Sequence, residues 1–375
     1  MKILHLDTGK EWRGGQQQLF WLMEGLRDLG HEQLLLAPGS SPLAERTRKA
    51  GLEVEELSPQ AMSFANLRGL RQKAARFDLL HAHDARGHSL AWLAGIGRSK
   101  KSWPRLVVAR RVAYPIRFFG RLKYAAADAY IAVSRYVRQQ LCQAGVPEEK
   151  IHVVLDGVKP PRLPVGSGNR SDLRRRLGVG KQTFLIGTLA TMAPEKLLQD
   201  SVDLLANLPS AMQLWLGTPG LGLPASDADQ QAAEKALLEY ARKRGVEKRF
   251  QIVRLGEEMS AFLGSLDLFL YLSKSEGLGS AILLAMAYNL PVVASSVGGI
   301  PEIVRHMEAG LLAGEDWKRE LPSAIRLLRD SARTRQRLAD AGRRFVMAHA
   351  TTDIMVSGTA AVYAELLQGS NRNRA

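Results

Sequence analysis

Short apolar runs alternate along this chain with longer segments in which apolar residues recur at helical spacing. In the first part, the runs that are rich in Val, Ile and Leu and predict buried strands are residues 2–7, 33–37, 78–83, 105–109, 129–133 and 151–155. Segments of helical period lie between them, for example residues 16–29, which Gly30 closes. Alternating strands and helices predict a parallel, doubly wound sheet.

A segment rich in proline and glycine, residues 158–169, interrupts this alternation and predicts a linker. Strands are predicted again after it, at residues 183–189, 211–216, 250–255, 267–272 and 291–295. Two helical patterns follow, at residues 318–348 and 352–367, and residues 370–375 are expected to fray. A second doubly wound domain is therefore expected after the linker.

The sequence thus predicts an α/β protein of two Rossmann-like domains, a number that suits 375 residues. The first is predicted at residues 1–165 and the second at 166–350. Residues 351–375 are predicted to form a helix that packs back on the first domain before the frayed tail. Because open parallel sheets bind ligands outside the carboxyl ends of their strands, we expect the domains to face each other across a ligand-binding cleft.

Positive charge is concentrated in the first half of the chain. Residues 1–175 hold 29 Lys+Arg against 16 Asp+Glu, a balance of +13, whereas the remaining residues hold 23 against 21, a balance of +2. This asymmetry favours an anionic partner, either nucleic acid or a leaflet of acidic lipid and phosphorylated glycolipid. A generally basic, solvated surface is the alternative.

The single cysteine, Cys142, excludes a disulfide framework within the chain and a cysteine-based zinc cluster, and it favours a reducing compartment. No apolar run has the length of a membrane span, and an acidic residue, Asp7, interrupts the first one, unlike a signal peptide. We therefore expect a cytoplasmic protein that is neither exported nor inserted into a membrane.

A glycine-bearing loop, residues 273–280, lies between the strand predicted at 267–272 and a helix predicted at 281–289. Gly277 and Gly279 allow a phosphate to approach the backbone, and the helix start offers N–H groups that have no partner within the helix. The carboxylate of Glu276 would repel a phosphate and is better suited to accept hydrogen bonds from sugar hydroxyls. The glycines alone are equally compatible with a structural turn.

The segment Ser275-Glu-Gly-Leu-Gly through Val304, with Leu284-Ala-Met-Ala and Val297-Gly-Gly-Ile-Pro-Glu within it, resembles the donor-site signature of the family 4 retaining glycosyltransferases. Further matches follow in the same order along nearly the whole chain, at residues 14–15, 133–134, 145–151, 156–158 and 194–196. The resemblance implies the two-domain GT-B fold. It also implies a nucleotide-sugar substrate, in UDP, GDP or ADP form, with no cofactor and no metal.

The resemblance further implies roles for individual residues. Lys196 matches the lysine that neutralises the leaving diphosphate, and Glu276 and His83 match residues that orient the sugar. Backbone groups that face or seat the diphosphate are implied at Gly14, Gly15, Gly277, Leu278, Gly279 and Ser280. We expect His81 and His83 to point to opposite faces of their strand, so that His83 enters the cleft while His81 packs in the core.

Arg110 and Arg111 resemble an arginine pair of relatives that act on lipopolysaccharide cores. The positive charges continue with Arg117, Arg121 and Lys123, and the aromatic residues Tyr114, Phe118 and Phe119 are interleaved with them. This segment is interpreted as a face that contacts a glycolipid acceptor or the anionic inner leaflet, which makes the protein peripheral on the inner membrane. A solvated helix face is the alternative, and no specific nucleic acid is expected.

Several positions depart from the family pattern. Leu284 stands where a second glutamate commonly binds the ribose, and Thr191 stands where an arginine accompanies the lysine. Leu197 replaces a glycine, and residues 280–281 replace a Leu-Pro pair. The alternatives are an altered donor, donor affinity recovered through Arg254 or other residues, and a noncatalytic homologue that binds glycolipid or membrane.

A nucleotide-sugar 2-epimerase shares the fold but needs several carboxylates for proton transfer, and the candidates here offer mainly Glu276. The sequence therefore favours an active retaining glycosyltransferase of the hexosyltransferase type, with a nucleotide sugar as donor and a lipid-linked or lipopolysaccharide-core saccharide as acceptor.

Overall fold

The computed structural model describes residues 1–58, 60–99, 103–114, 116, 121–161, 167–180, 182–218, 227–256, 258–314 and 316–372. Of the helical residues 121, 167–171, 227, 228 and 369–372 it describes the backbone alone. The chain divides into two compact units. The first comprises residues 1–157 with the helix that starts at Thr352, and the second comprises residues 158–351.

The first unit contains a parallel sheet of seven described strands, in the order β3-β2-β1-β4-β5-β6-β7. Its strands are β1 Lys2–Leu6, β2 Glu32–Pro38, β3 Val54–Leu57, β4 Leu79–Ala82, β5 Arg105–Arg110, β6 Ala129–Ala132 and β7 Ile151–Val153. Its first helices are α1 Gly14–Asp28, α2 Pro42–Lys49, α3 Phe64–Ala74, α4 Ala85–Gly95, α5 Arg121–Ala126 and α6 Arg135–Gln143. The pattern did not predict β3, because two exposed glutamates interrupt its apolar residues at this edge of the sheet.

Local chemistry sets where several of these helices begin. Side-chain oxygens of Ser41, Ser63, Asp84 and Ser134 accept a hydrogen bond from a first-turn backbone amide of α2, α3, α4 and α6 respectively. Each such cap satisfies a donor that the helix itself cannot pair. The caps of α4 and α6 directly follow the strands β4 and β6, so they fix the turns at the carboxyl edge of the sheet.

The second unit contains a parallel sheet of six described strands, in the order β10-β9-β8-β11-β12-β13. These strands are β8 Phe184–Leu189, β9 Met212–Thr218, β10 Phe250–Arg254, β11 Leu268–Tyr271, β12 Val292–Ser295 and β13 Leu311–Ala313. Its helices are α7 Ser167–Arg176, α8 Leu198–Ala206, α9 Asp227–Lys243, α10 Met259–Ser265, α11 Ser280–Ala287, α12 Ile300–Ile303, α13 Trp317–Asp330 and α14 Ala332–His349. The prediction of two doubly wound parallel-sheet domains is confirmed.

One predicted helical pattern, residues 318–348, forms two helices instead of one. Helix α13 ends at Asp330, and Ser331 begins α14 by accepting a hydrogen bond at its Oγ from the Thr334 amide. A serine in this position favours the helix start over helix continuation, because its side chain competes for backbone donors.

The last helix, α15 Thr352–Arg372, belongs to the first unit, and residues 373–375 lie outside the described part of the chain. It packs against α1 so closely that a side-chain carbon on Gly25 would lie 2.5 Å from a methyl group of Val356. The division of the chain falls after Gly157, earlier than the predicted boundary after residue 165. The reason is that the Val158 amide donates to the Ala350 carbonyl at 2.9 Å, which pairs the two ends of the second unit.

Candidate functional site

The glycine-bearing loop of the second unit joins the end of β11 to the start of α11, as the sequence predicts. Gly279 immediately precedes the helix with a φ of 100°, a conformation that favours glycine. Leu278 beside it is buried, which holds the loop against the domain core. The Ile282 amide donates to the Gly279 carbonyl at 2.9 Å, and the helix start presents the earlier first-turn amides next to a backbone that an incoming group can approach.

Two serines fix this loop to the neighbouring chain segments. The Ser273 amide donates to Ser295 Oγ at 2.9 Å, and that hydroxyl donates to the Ser273 carbonyl at 3.0 Å. The Ser273 hydroxyl and the Lys274 amide both donate to the Glu195 carbonyl, at 3.2 and 2.9 Å. The loop is therefore tied both to the end of β12 and to the short helical turn that carries Lys196.

Lys196, Tyr271 and Glu276, here called the Lys196 group, lie in mutual contact. Lys196 Nζ lies 2.6 Å from Glu276 Oε2 and 2.7 Å from the Tyr271 hydroxyl, which donates to the same Oε2 at 2.6 Å. The charged side chains are each 18% exposed. Burial and then the negative charge of Glu276 raise the pKa of Tyr271 well above its usual value, so its phenol remains a donor.

Gly298 and Gly299 support the backbone of Glu276 from the other side. The Gly299 amide donates to the Glu276 carbonyl at 3.1 Å. Gly298 has a φ of 57°, and a side-chain carbon there would lie 1.9 Å from that same carbonyl oxygen. Any residue other than glycine at position 298 must therefore displace Glu276, which gives a physical reason for the Gly-Gly pair in the sequence.

The unusual residues of this region have distinct structural consequences. Leu197 has a φ of 48°, in the left-handed region that a glycine would adopt without strain; this conformation costs a non-glycine residue about 1–2 kcal/mol. Leu284 is half-buried on α11, and Thr191 is half-buried beyond β8, so neutral side chains occupy both positions. Arg254 forms an ion pair at 2.8 Å with Glu234 on α9.

In the first unit, Gly14 and Gly15 begin α1, and a side-chain carbon on Gly15 would meet no atom within 4 Å. The loop before this helix is held by Asp7, whose Oδ1 accepts from the Gly9 amide at 2.9 Å and from Gln16 Nε2 at 3.2 Å. Burial, and then the charge of Asp84, raises the pKa of Asp7 to about 6. Asp7 thus ties the loop to the first turn of α1, and the space above Gly15 is open.

His5, His81 and His83, here called the histidine group, lie together inside the first unit. The prediction that His81 and His83 point to opposite faces is wrong, because side chains two residues apart in a strand share a face. Their ring centroids lie 3.9 Å apart, and both residues are buried. Sequence reasoning missed His5, which joins them from β1; its only signal was a polar residue inside an apolar run.

Hydrogen bonds connect the histidine group to the rest of the domain. His5 Nδ1 lies 3.0 Å from His83 Nε2, and His81 Nδ1 lies 2.5 Å from the Tyr363 hydroxyl of α15. Burial lowers the pKa of His5 to about 4. Burial and then neighbouring positive charge lower the pKa of His81 and of His83 well below the usual value, so all three rings are neutral at pH 7.

One ring nitrogen from each of the three histidines lies within 4.8 Å of the others, a spacing that suits a metal ion. The His5–His83 hydrogen bond already joins two of these rings without an ion. Arg111 also acts on His81 and His83 as a positive charge that disfavours a cation. The expected absence of a metal requirement stays a prediction.

The predicted basic face at residues 110–123 differs from the expectation. The prediction of a surface role is wrong for Arg110, which is buried and donates to the Tyr124 hydroxyl at 2.6 Å and to the Tyr114 carbonyl. Arg111 pairs with Asp156 at 3.1 Å, and Lys123 donates to Ser89 Oγ at 3.0 Å. Arg110, Arg111 and Lys123 thus each bond to polar groups within the first unit.

The remaining residues predicted for that face, Arg117, Phe118 and Phe119, lie outside the described residues, as does the side chain of Arg121. Among the described residues of that segment, the aromatic side chain of Tyr114 is 55% exposed. Among the described helices, none combines the length and the apolar composition that a membrane span requires.

Comparison with known proteins finds two glycosyltransferase family models that match successive parts of this chain. Residues 12–162 match the family model Glycosyltransferase Family 4, and residues 169–345 match the family model Glycosyl transferases group 1. The chain is 29% identical over 351 residues to a D-inositol 3-phosphate glycosyltransferase of Salinispora arenicola, with 84% of this chain and 75% of the relative covered. It is 27% identical over 355 residues to a GDP-mannose-dependent alpha-mannosyltransferase of Mycobacterium tuberculosis, with 87% and 86% covered.

Among solved structures, Anabaena Alr3699/HepE in complex with UDP-glucose superposes with a TM-score of 0.85 at 21% sequence identity. The superposition covers 97% of this chain and 100% of that chain. A likeness at this identity establishes the fold that the two chains share.

Proposed function

Because this chain is a glycosyltransferase of the GT-B fold, we propose that it is a retaining, hexosyl-transferring enzyme that uses a nucleotide-diphosphate sugar. We further propose that its acceptor is a lipid-linked or lipopolysaccharide-core saccharide. The observation that carries the donor assignment is the contact of Lys196, Tyr271 and Glu276 beside the helix start of α11.

The hydrogen-bonding capacity of Lys196 supports its role toward the diphosphate. An ammonium group has three donors, and two of them are directed at Tyr271 and Glu276. The third donor is left for a phosphate oxygen, next to the amides at the start of α11. The negative charge that develops on the leaving diphosphate would be stabilised there by groups that are already in position, which lowers the barrier to bond breaking.

Glu276 likewise has a hydrogen-bond acceptor that is available to the sugar. Its Oε2 accepts from both Lys196 and Tyr271, whereas its Oε1 has no hydrogen-bond partner among the described residues. A carboxylate oxygen accepts up to two hydrogen bonds and suits a pair of sugar hydroxyls. Glu276 thus orients the sugar while Lys196 holds the phosphate, and the acceptor attacks from the side of the leaving group without a protein nucleophile.

The donor is proposed to be a UDP-, GDP- or ADP-linked sugar. The Mycobacterium relative is named for GDP-mannose and the Anabaena structure holds UDP-glucose. Leu284 replaces the carboxylate that family members commonly direct at the ribose, so the nucleotide gains less from that helix here. The backbone around Gly14 and Gly15 is proposed to face the diphosphate from the first domain.

The charge of the first domain supports an anionic acceptor. The first unit, residues 1–157 and 352–375, carries 26 Lys+Arg against 17 Asp+Glu, a balance of +9, compared with +6 in the second unit. The Salinispora relative is named for D-inositol 3-phosphate, a phosphorylated compound. A phosphorylated glycolipid at the anionic inner leaflet has this chemistry, which would make the protein peripheral on the cytoplasmic side. Binding to anionic liposomes is then expected to weaken as salt rises.

A screen of UDP-, GDP- and ADP-linked sugars against isolated core glycolipids tests the proposal. The expected result is transfer from one donor class, with the anomeric configuration of the donor retained in the product by NMR. An inverted product would contradict retention. Transfer only to uncharged acceptors would contradict the acceptor assignment, and the absence of transfer together with no nucleotide binding would contradict the donor assignment.

A further inference from the structure

A chain of hydrogen bonds leads from a backbone carbonyl of α1 to His83. Gln33 Nε2 donates to the Met23 carbonyl at 2.9 Å, and Gln33 Oε1 lies 3.1 Å from His5 Nε2. His5 Nδ1 in turn lies 3.0 Å from His83 Nε2. The three side chains are at most 9% exposed, so water does not compete for these bonds.

The direction of every bond in this chain follows from its first member. A carbonyl oxygen only accepts, so the amide nitrogen of Gln33 faces Met23 and the amide oxygen faces His5. Because that amide oxygen also only accepts, the proton of His5 must sit on Nε2.

His5 is neutral, so its other ring nitrogen accepts. Its hydrogen-bond partners among the described residues, Gln33 and His83, carry no negative charge that would favour an imidazolium. Burial lowers its pKa to about 4. Nδ1 of His5 therefore carries a lone pair, and the Nε2 of His83 must donate to it.

We propose that Gln33 and His5 are positioning residues that hold His83 in its Nε2–H tautomer, so that its Nδ1 can accept a hydrogen bond but cannot donate one. Nδ1 of His83 is buried and has no partner among the described residues. The significance for sugar binding rests on the proposed function, in which His83 serves the donor sugar or acceptor; a hydroxyl that meets this nitrogen must be the donor. The tautomer itself does not depend on that function.

The other groups around His83 are compatible with this assignment. His81 and Arg111 act on it as positive charges or potential positive charges. Tyr363 lies against His81, and its hydroxyl can donate to or accept from His81 Nδ1 without forming a bond to His83. No carboxylate among the described residues forms an ion pair with the histidine group, so nothing there favours a second proton on His83.

Nitrogen NMR of the ligand-free protein, labelled with ¹⁵N in histidine, measures the tautomer through couplings from the ring protons to each nitrogen. His83→Asn identifies the His83 signals. The expected wild-type result is protonated Nε2 and unprotonated Nδ1 for both His83 and His5. A His83 ring protonated at Nδ1 would overturn the proposal, and this measurement decides it even if every variant below fails to fold.

Gln33→Met removes the acceptor of His5 while it keeps the length of the side chain. The proton of His5 is then no longer held on Nε2, so the Nε2–H population of His83 is expected to fall, with a loss of about tenfold in kcat/KM. Gln18→Met is the matched control, because Gln18 is also buried and bonds to a backbone segment, Gly157, but lies outside the chain of bonds. An unchanged His83 tautomer in folded Gln33→Met would overturn the proposal, whereas absent transferase activity with the expected tautomer would count only against the proposed function.

Discussion

The Lys196 group of the second domain and the histidine group of the first are both compact sets of polar side chains, but they differ in charge and exposure. Lys196 and Glu276 are charged, 18% exposed, and keep hydrogen-bonding capacity directed beyond themselves. The histidines are buried and neutral, and they satisfy much of their capacity within the domain. Charge is retained where a ligand can neutralise it, and protons are excluded where no counter-charge is present.

Loss of Glu276 is expected to cause the largest fall in activity of any substitution in the two groups. Glu276→Ala removes the sugar-facing oxygen and leaves Lys196 without its anion, so kcat/KM should fall by about 10²–10³-fold, the loss typical of one charged transition-state contact. Glu276→Gln, which keeps an acceptor and loses the charge, should retain more activity. Steady-state kinetics with the donor found in the screen measure both, and an active Glu276→Ala enzyme would contradict the role of the loop.

The histidine group should make the folded protein sensitive to acid. A histidine whose folded pKa is lowered contributes stability that is complete above its unfolded value of 6.5 and is lost as pH falls toward the folded value. Asp7, with its pKa raised to about 6, acts in the opposite sense and stabilises the fold as pH falls. Burial also lowers the pKa of His88 to about 3, so four histidines against one carboxyl leave a net loss of roughly 3–4 kcal/mol per pH unit just below pH 6.

Urea unfolding of the wild type and of His83→Asn, followed between pH 7 and pH 5, measures this slope. On acidification, the free energy of unfolding should fall less in the variant than in the wild type. The difference should equal the contribution of about one histidine. Equal slopes of stability against pH would show that His83 takes up a proton in the folded state as readily as in the unfolded state. The contrast between a charged Lys196 group and a neutral histidine group would then be lost.

Gly298→Ala tests whether the backbone behind Glu276 is as tightly packed as the structure shows. The added carbon would meet the Glu276 carbonyl at 1.9 Å in a backbone conformation with a φ of 57°; the conformation alone costs about 1–2 kcal/mol. Turnover should fall about tenfold or more. Gly69→Ala is the control, since that glycine has no atom within 4 Å of the added carbon; activity equal to the control would contradict the packing.

Leu284→Glu should give the smallest change, in the direction of tighter binding. If the ribose passes α11, a carboxylate at this half-buried position adds a charged hydrogen bond of about 1.5 kcal/mol, or roughly tenfold in nucleotide affinity. Calorimetric titration of the variant and of the wild type measures the change. Weaker or unchanged binding would show that the ribose takes another path in this protein.

The sequence predicted the Lys196 group better than the histidine group for a physical reason. The loop motif is contiguous, so its glycines and Glu276 can be read together, and the resemblance supplies Lys196. Tyr271 could not be inferred, because its hydroxyl meets Lys196 only after β11 and the turn at residues 194–196 are brought together. The histidine group combines β1 with the end of β4, and α15 adds the contact of Tyr363. Strand pairing rather than local sequence determines which rings touch.

Burial was the least predictable property of the charged residues. Arg110 is the last residue of β5, and its sequence context of arginines and aromatics suggested a surface. The aromatic residues instead provide its internal partners, since Tyr124 accepts its hydrogen bond. An arginine beside tyrosines is therefore compatible with either a membrane face or a buried pair, and only the packing of α5 against α4 distinguishes them.

The central claim, that Lys196 holds the donor diphosphate, is tested most directly by calorimetric titration of UDP, GDP and ADP into three proteins: the wild type, Lys196→Ala and Lys274→Ala. Lys274 is the matched control, an exposed lysine of the glycine-bearing loop, whose amide donates to the carbonyl of Glu195 next to Lys196. One nucleotide should bind the wild type and Lys274→Ala equally and Lys196→Ala at least about tenfold more weakly, since a charged hydrogen bond contributes about 1.5–3 kcal/mol. Equal affinity for Lys196→Ala and the wild type would contradict the account.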